Sequence, residues 1–467
     1  MHGMHKVTVL FHYQPQFPVF YFPCRGFGAE GTGRRAVSTA LTAGEFSMAD
    51  SANASVGAAK RKWGLGKRRG EKTREKKQRK YVYFDYNLLA VVIILICFGL
   101  VMLYSASAYE AANDPNINDD MYYFRRQAEI SLASVFIALF ISRINYRIAV
   151  KAAPVFYVIA LGLMAMVRYT PFGVTVNGAR RWLNLGIQFQ PAEISKIAVI
   201  CMIPFLILKM GKKWERLRNV LLVFLVGGIQ AFGAYYFTEN LSTAIIIFGI
   251  CFFVIFLAHS RTVPFVALMA GGAGLTGVGL VVLNRTVSSS SNFRIRRILA
   301  WLQPENNLNS GGYQVLQGLY AIGSGGFFGK GLGNSTQKLS TIPEAQNDMI
   351  FSIICEELGL FGAIIVLLLF GYLLYRLFFI AQNAKDLCGS LIVMGVFVHV
   401  ALQVILNICV VLNVIPTTGV TLPFVSYGGT SVLFLMSEIG LALSVSRRIS
   451  YDEYETDRQA EPQGKGH

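Results

Sequence analysis

Residues 329–359 read GKGLGNSTQKLSTIPEAQNDMIFSIICEELG, a polar, glycine-rich stretch that runs into an apolar one. Asp348 stands at the junction. An ionisable group at the edge of a membrane span is costly to keep and is a functional candidate by default. A carboxylate that meets water on one side suits proton abstraction, so Asp348 is the candidate catalytic residue. The alternative is a helix cap, because Pro343 limits the backbone just upstream and Asn347 or Asp348 could close the first turn. A cap needs no charge. None of the six histidines, at 2, 5, 12, 259, 399 and 467, falls in a loop expected on the outer side of the membrane. A serine–histidine–acid triad or a histidine-bound metal is therefore not available there. One carboxylate with cationic help is what remains.

The outer segments that carry unexpected positive charge hold Arg180 and Arg181 and, in 284–346, Arg285, Arg294, Arg296, Arg297, Lys330 and Lys338; of these Arg180, Arg181, Lys330 and Lys338 are the candidates for holding an anionic, lipid-linked ligand. GKGLG at 329–333 falls short of a phosphate loop, which needs glycine at 324 and Ser or Thr after the lysine; the chain has Ser324 and Gly331. These glycines suit tight turns. Glu193 and Lys196, in QPAEISK, are three apart and share one helix face. They read either as a structural ion pair or as substrate contacts. Glu356 and Glu357 lie about 12–13 Å deeper than Asp348 along a helix and need a polar partner, either a packing bond or a metal. PTTGVTLPFVSYGGTS, 416–431, is a Pro/Gly-punctuated re-entry, tolerated at membrane depth where it lines a cavity. Ser426 and Tyr427 are its candidate cleft residues.

The elements that must position these groups are membrane helices. The chain has 467 residues, 54% hydrophobic and 15% charged, with mean hydropathy +0.47. Ten apolar segments are long enough to cross a bilayer: 86–106, 127–143, 148–167, 191–209, 219–237, 241–259, 263–283, 347–379, 388–412 and 421–445. The fold class expected is an all-α polytopic membrane protein. Lys and Arg cluster in alternate short loops, including Arg143, Arg147, Lys212, Arg216, Arg261, Arg376, Arg447 and Arg448. The bias predicts both termini in the cytoplasm. Segment 168–190 and the large loop 284–346 break that rule with their own cations, which suggests a ligand on the outer side. A structureless loop as long as 284–346 is expected to be functional.

The organisation expected is a basic, disordered cytoplasmic extension over 1–80, a transmembrane domain over 81–448 and a cytoplasmic tail over 449–467. Residues 1–80 hold 16 Lys and Arg against 5 Asp and Glu. The run at 60–80, KRKWGLGKRRGEKTREKKQRK, reads as a lipid-facing topological anchor, because a span follows it directly. Nucleic-acid binding is the other reading. Residues 1–47 lack a signal-peptide pattern, and Met48 is the expected translation start. The seven cysteines have no disulfide or zinc spacing and read as small hydrophobes.

Between about 85 and 448 the chain resembles the SEDS family of bacterial shape, elongation, division and sporulation proteins. The resemblance is carried by NGARRWLNLG with QPAEISK, YQVLQGLYAIGSGGFFGKGLGNSTQKL, PEAQNDMIFSIICEELG and TTGVTLPFVSYGGTS, in this order. GLGNSTQKL is more like the division branch, FtsW, than the elongation branch, and a sporulation member would look similar. The resemblance implies a peptidoglycan glycosyltransferase that polymerises lipid II at the outer face of the cytoplasmic membrane. The family's essential acid falls on Asp348. Its neighbours differ, since Gln-Asn-Asp-Met stands where His-Thr-Asp-Phe is usual. Asn240 stands where an Asp is common, so no site is assigned there.

The implied chemistry needs one base for the attacking sugar 4-hydroxyl. It also needs positive charge, from the arginines and lysines above or from a divalent cation such as magnesium or manganese, to hold the leaving diphosphate. No other cofactor is implied. The resemblance also implies a class B penicillin-binding protein as cross-linking partner, other division proteins around it, and no nucleic acid. Two different functions stay open on the sequence: a lipid II flippase, and a non-catalytic scaffold that would tolerate loss of Asp348.

Overall fold

A computed structural model describes residues 81–115, 117–176, 178–286, 293–308, 311–339 and 342–451. The expectations for 1–80, including Met48 and the basic run, and for the tail after 451 lie outside the described residues. Strand β1 (Tyr81–Val82) opens the described chain. Helices α1 (Tyr86–Asn113), α2 (Tyr122–Arg143) and α3 (Tyr146–Tyr169) follow, then strands β2 (Gly173–Val176), β3 (Ala179–Asn184) and β4 (Gln188–Phe189). Next come α4 (Pro191–Met210), α5 (Leu217–Phe237), α6 (Leu241–Ala258), α7 (Val263–Thr286), α8 (Phe293–Leu302) and α9 (Gly312–Gly325). Helices α10 (Ile350–Gln382), α11 (Leu387–Val411) and α12 (Ser431–Ser446) and strand β5 (Ser450–Tyr451) complete it.

Among the described residues, seven helices are long and apolar enough to cross a membrane: α1, α3, α4 with its short extension, α5, α6, α10 and α11. Helices α2, α7 and α12 occupy the other segments read from hydropathy. Several spans start where an Asp or Asn satisfies free N–H groups. Asp85 accepts from Leu88 N (2.9 Å), Asn240 from Thr243 N (3.1 Å) and Asp386 from Gly389 N (2.8 Å). Small residues let helices approach closely. A Cβ on Gly227 of α5 would lie 2.3 Å from Cys251 Sγ of α6, and one on Gly440 of α12 would lie 2.8 Å from Ala138 O of α2.

The fold is mostly helical, as expected, and segment 168–190 adds a small three-stranded antiparallel sheet, ordered β2-β3-β4. Two expectations need correction. Loop 284–346 is not structureless, because it carries α8 and α9. Helix α9 buries Gly312, Val315, Gly318, Ala321 and Gly325, a stripe of small residues that seats it on α10. The last helix begins at Ser431 rather than 421, because residues 412–430 stay irregular around Pro416, Pro423 and the Gly428–Gly429 pair.

The opposite end of the bundle is stitched by ion pairs. Arg376 of α10 reaches Asp85 at 2.6 Å, and Arg147 and Tyr146 of α3 converge on Asp386 at the start of α11. Strand β1 pairs antiparallel with β5, Tyr81 opposite Tyr451, so the two ends of the described chain lie side by side.

Candidate active site

The site is built around a break in α10. At Gly359 the backbone (φ 68°, ψ −167°) leaves the helical region. Residues 326–331 lie along the break and repair it. Lys330 and Gly331 donate their N–H groups to the carbonyls of Glu356 and Glu357, at 3.0 and 2.9 Å. Leu360 and Phe361 donate to the carbonyls of Gly326 and Phe327, each at 3.0 Å. The groups freed by the break are thus paired, as a low-dielectric setting requires. Only glycine allows this approach. A Cβ on Gly359 would fall 2.3 Å from Gly329 N, and one on Gly325 would fall 1.9 Å from Cys355 O.

Glu356 and Glu357, fully buried just before the break, fasten the following loop. Glu356 accepts from Lys330 Nζ (2.6 Å), Thr336 N (3.1 Å), Thr336 Oγ1 (3.0 Å) and Ser335 Oγ. Glu357 accepts from Lys338 Nζ (2.9 Å) and from Ser105 Oγ of α1 (2.7 Å). These are packing bonds, the first of the two sequence readings. They also change the reading of Lys330 and Lys338. Both lysines are paired with buried carboxylates, which neutralise them.

Asp348 lies in the turn before α10, half-buried. It caps nothing: the N-cap position is Met349, and no side-chain cap is made there. Gln314 of α9 donates to Asp348 Oδ1 at 3.3 Å. Burial, reinforced by the nearby Glu344 carboxylate, pushes the Asp348 pKa up to about 6, against the opposing pull of Arg297 and Gln314. Arg297 comes from α8 and also donates from Nη1 to Thr417 O at 3.3 Å. Burial lowers the Arg297 pKa and the Asp348 charge opposes that. Arg181 lies close enough to feel both Arg297 and Glu239; burial first and then Arg297 pull its pKa down. Arginine stays protonated through such shifts, so Arg181 and Arg297 form a partly desolvated positive pair, of which Arg297 is the member that acts on the acid.

The β2–β3 pairing has a bulge here: Thr175 stands opposite Arg180 and Val174 opposite Trp182, which leaves Arg181 unpaired between them and separates the two arginines. Arg180 turns back to the Thr170 carbonyl at 2.5 Å, at the end of α3. It belongs to the hairpin, not to the Asp348 cluster. Ser426 is buried, and its hydroxyl accepts from Leu422 N at 2.8 Å, closing its own turn. Tyr427 is half-buried with its ring edge-to-face on Tyr123, centroids 5.1 Å apart. Its N–H donates to Gln346 O at 2.9 Å, tying the 412–430 segment to the Asp348 turn. Glu193 and Lys196 form a buried pair at 2.8 Å within α4.

Arg297 appeared in the sequence only as one cation among several in a long loop, and Gln314 and Gln346 were not singled out. Backbone strain is a further sign that spacing does not carry. Glu239, Glu344, Asn413 and Phe424, all in the segments around the site, have φ of 48°, 52°, 55° and 63°. Non-glycine residues in this region concentrate at functional sites. Among the described residues no group of three His, Cys, Asp or Glu side chains could hold a metal ion, so no residues are assigned to magnesium or manganese.

Known proteins are similar to this chain. Stage V sporulation protein E of Bacillus subtilis (strain 168) is 37% identical over 369 residues, 79% of this chain and 98% of that protein. A probable peptidoglycan glycosyltransferase FtsW from Trichlorobacter lovleyi is 35% identical over 367 residues, 78% of this chain and 93% of that protein. A chain from a solved structure described as "Structural coordination of polymerization and crosslinking by a peptidoglycan synthase complex" is 28% identical. It has a TM-score of 0.63, covering 79% of this chain and 99% of that one. The rod shape determining protein RodA of Thermus thermophilus is 25% identical with a TM-score of 0.54, covering 80% of this chain and 99% of that one. The FtsW/RodA/SpoVE family profile, described as "Cell cycle protein", matches residues 85–451. On sequence and fold together, this chain belongs to the FtsW/RodA/SpoVE family.

Proposed function

We propose that the protein is a peptidoglycan glycosyltransferase that polymerises lipid II at the outer face of the bacterial cytoplasmic membrane during cell division. The observation that carries this reading is Asp348, a half-buried carboxylate with its pKa raised to about 6 and the Arg297 guanidinium acting on it, with Arg181 next to Arg297 in turn. The carboxylate takes the proton from the attacking sugar 4-hydroxyl, the new bond forms at C1 of the donor sugar, and the bond from C1 to the diphosphate oxygen breaks. Attack opposite the leaving group inverts C1. Diphosphate leaves readily, so a second, protonating carboxyl group of the kind glycosidases use is not needed. Arg297 and Arg181 take up the charge that develops on it.

Relatives named as probable peptidoglycan glycosyltransferases support the activity. The chain from the peptidoglycan synthase complex supports a class B penicillin-binding protein as partner, with other division proteins around the pair. Lysine and arginine placement supports cytoplasmic termini for a membrane domain over 81–448 and an outer position for Asp348. The side-by-side chain ends, on one side of the bundle, agree with an even number of crossings. A second reading, the same reaction in sporulation, is favoured by the 37% identity to Stage V sporulation protein E. A fluorescent fusion at the septum of growing cells supports division, and one found only in sporulating cells supports the second.

The test is purified protein with labelled lipid II in detergent. Asp348→Asn should insert, purify and make no glycan polymer, whereas the parent makes it. Normal polymer from the variant removes Asp348 from the chemistry. A flippase makes none with either protein.

A further inference from the structure

The Asp348 turn and the irregular 412–430 segment belong to different parts of the chain, yet one side chain joins them. Asn407 on α11 is fully buried, and its Nδ2 donates to two carbonyls, those of Asp348 and Val420, each at 2.8 Å. A primary amide nitrogen has two hydrogens, so both are committed. One helical turn earlier, Gln403 Nε2 donates to Thr421 O at 3.1 Å. Helix α11 thus presents two amides on one face that hold the irregular segment by its main chain. Arg297 is bonded to the same segment at Thr417 O, 3.3 Å away. The acid and the cation that faces it are therefore referenced to one another through residues 417–420.

We propose that Asn407 is a positioning residue for the reaction: its amide locks the main chain of Asp348 to the segment whose Thr417 carbonyl holds the Arg297 side chain, and so fixes the distance between the carboxylate and that cation. The inference rests on Asp348 being the base. Asn407 does not touch the carboxylate itself, so it acts through where that carboxylate is held. The charged groups facing Asp348 are Glu344 from its own turn and Arg297 from α8, with neutral Gln314 from α9. Helix α11 supplies only the amide.

The experiment uses the full chain with labelled lipid II as the probe, and compares the parent with Asn407→Leu, Asn407→Ser and Asp348→Asn. Leucine keeps the volume and removes both donors; serine keeps one. Asn407→Leu should lower kcat about 100-fold, the scale of a small misplacement of a reacting group, and leave KM for lipid II unchanged. Its acid limb should move to higher pH, because a carboxylate released from Arg297 is a stronger base. Asn407→Ser should recover part of kcat. Should Asn407→Leu fail to purify as a single species, Asn407→Ser decides alone by the same readings. Parent-like kcat, or a loss of kcat with the acid limb unmoved, overturns the proposal. An active Asp348→Asn instead overturns the assignment of the base and is read separately.

Discussion

A base for a sugar alcohol must be ionised at working pH and still want a proton, and an ordinary aspartate is too acidic for the second task. Asp348 meets both conditions because burial and Glu344 raise it to about 6 while Gln314 and Arg297 limit the rise. The ionised form is the active one, so the rate should fall about tenfold per unit as pH drops below about 6, measured as initial rate of polymer formation. Stability runs the other way. A folded pKa above the unfolded one means that the charged form disfavours folding at pH above about 6, and this penalty disappears at low pH. Asp348→Asn should therefore raise the melting temperature at neutral pH while abolishing turnover. Arg297→Ala should lower kcat by about 100-fold or more, as loss of a transition-state donor does. Arg181→Ala should weaken use of lipid II, and Arg180→Ala should leave the rate near that of the parent, because its guanidinium serves the Thr170 carbonyl. Equal effects of the two strand arginines would contradict this assignment. Asp348 stands out in the sequence because charge at a polar–apolar junction is costly, and Arg181 because it is a cation in a loop that breaks the charge bias. The pairing of Lys330 and Lys338 was not legible: their partners, Glu356 and Glu357, are 26 and 19 residues away and meet them only through the fold.

At the scale of elements, the break at Gly359 fixes the site more than any single helix does. It lets residues 326–331 enter α10, and that entry sets where the loop carrying Lys330 and Lys338 can run. A methyl group at 359 collides with main-chain atoms of Phe327 and Gly329, none of which can move without losing the repair bonds. Gly359→Ala should prevent assembly rather than slow the reaction, and size-exclusion of a fluorescent fusion should give aggregate in place of a single peak. A monodisperse, active variant would mean that the loop has another seat. Periodicity and hydropathy placed most helix ends within a few residues, because caps such as Asp85 and Asp386 stand at polar–apolar boundaries. They missed α8 and α9, which are short and of mixed sequence, α9 packing by small residues, and they started α12 too early. Residues 421–427 are apolar enough to pass for helix, but where the segment enters, the carbonyls of Val420 and Thr421 accept from the side chains of Asn407 and Gln403 instead.

For the molecule as a whole, the fold was readable from where apolar runs stop and cations begin, and its class agrees with that of solved relatives. What hydropathy could not give is how the ends meet. Strands β1 and β5 put Tyr81 opposite Tyr451, and Asp85 and Arg376 lock the same corner. The transmembrane body is thus nearly a closed ring of chain. A short linker from 451 to 81 and new termini opened between Arg261 and Thr262, which are exposed, would give a circular permutant with every crossing in its original direction. It should insert and synthesise polymer in the lipid II assay; a permutant that inserts but fails to assemble would show that the order in which helices leave the ribosome is itself part of the folding code.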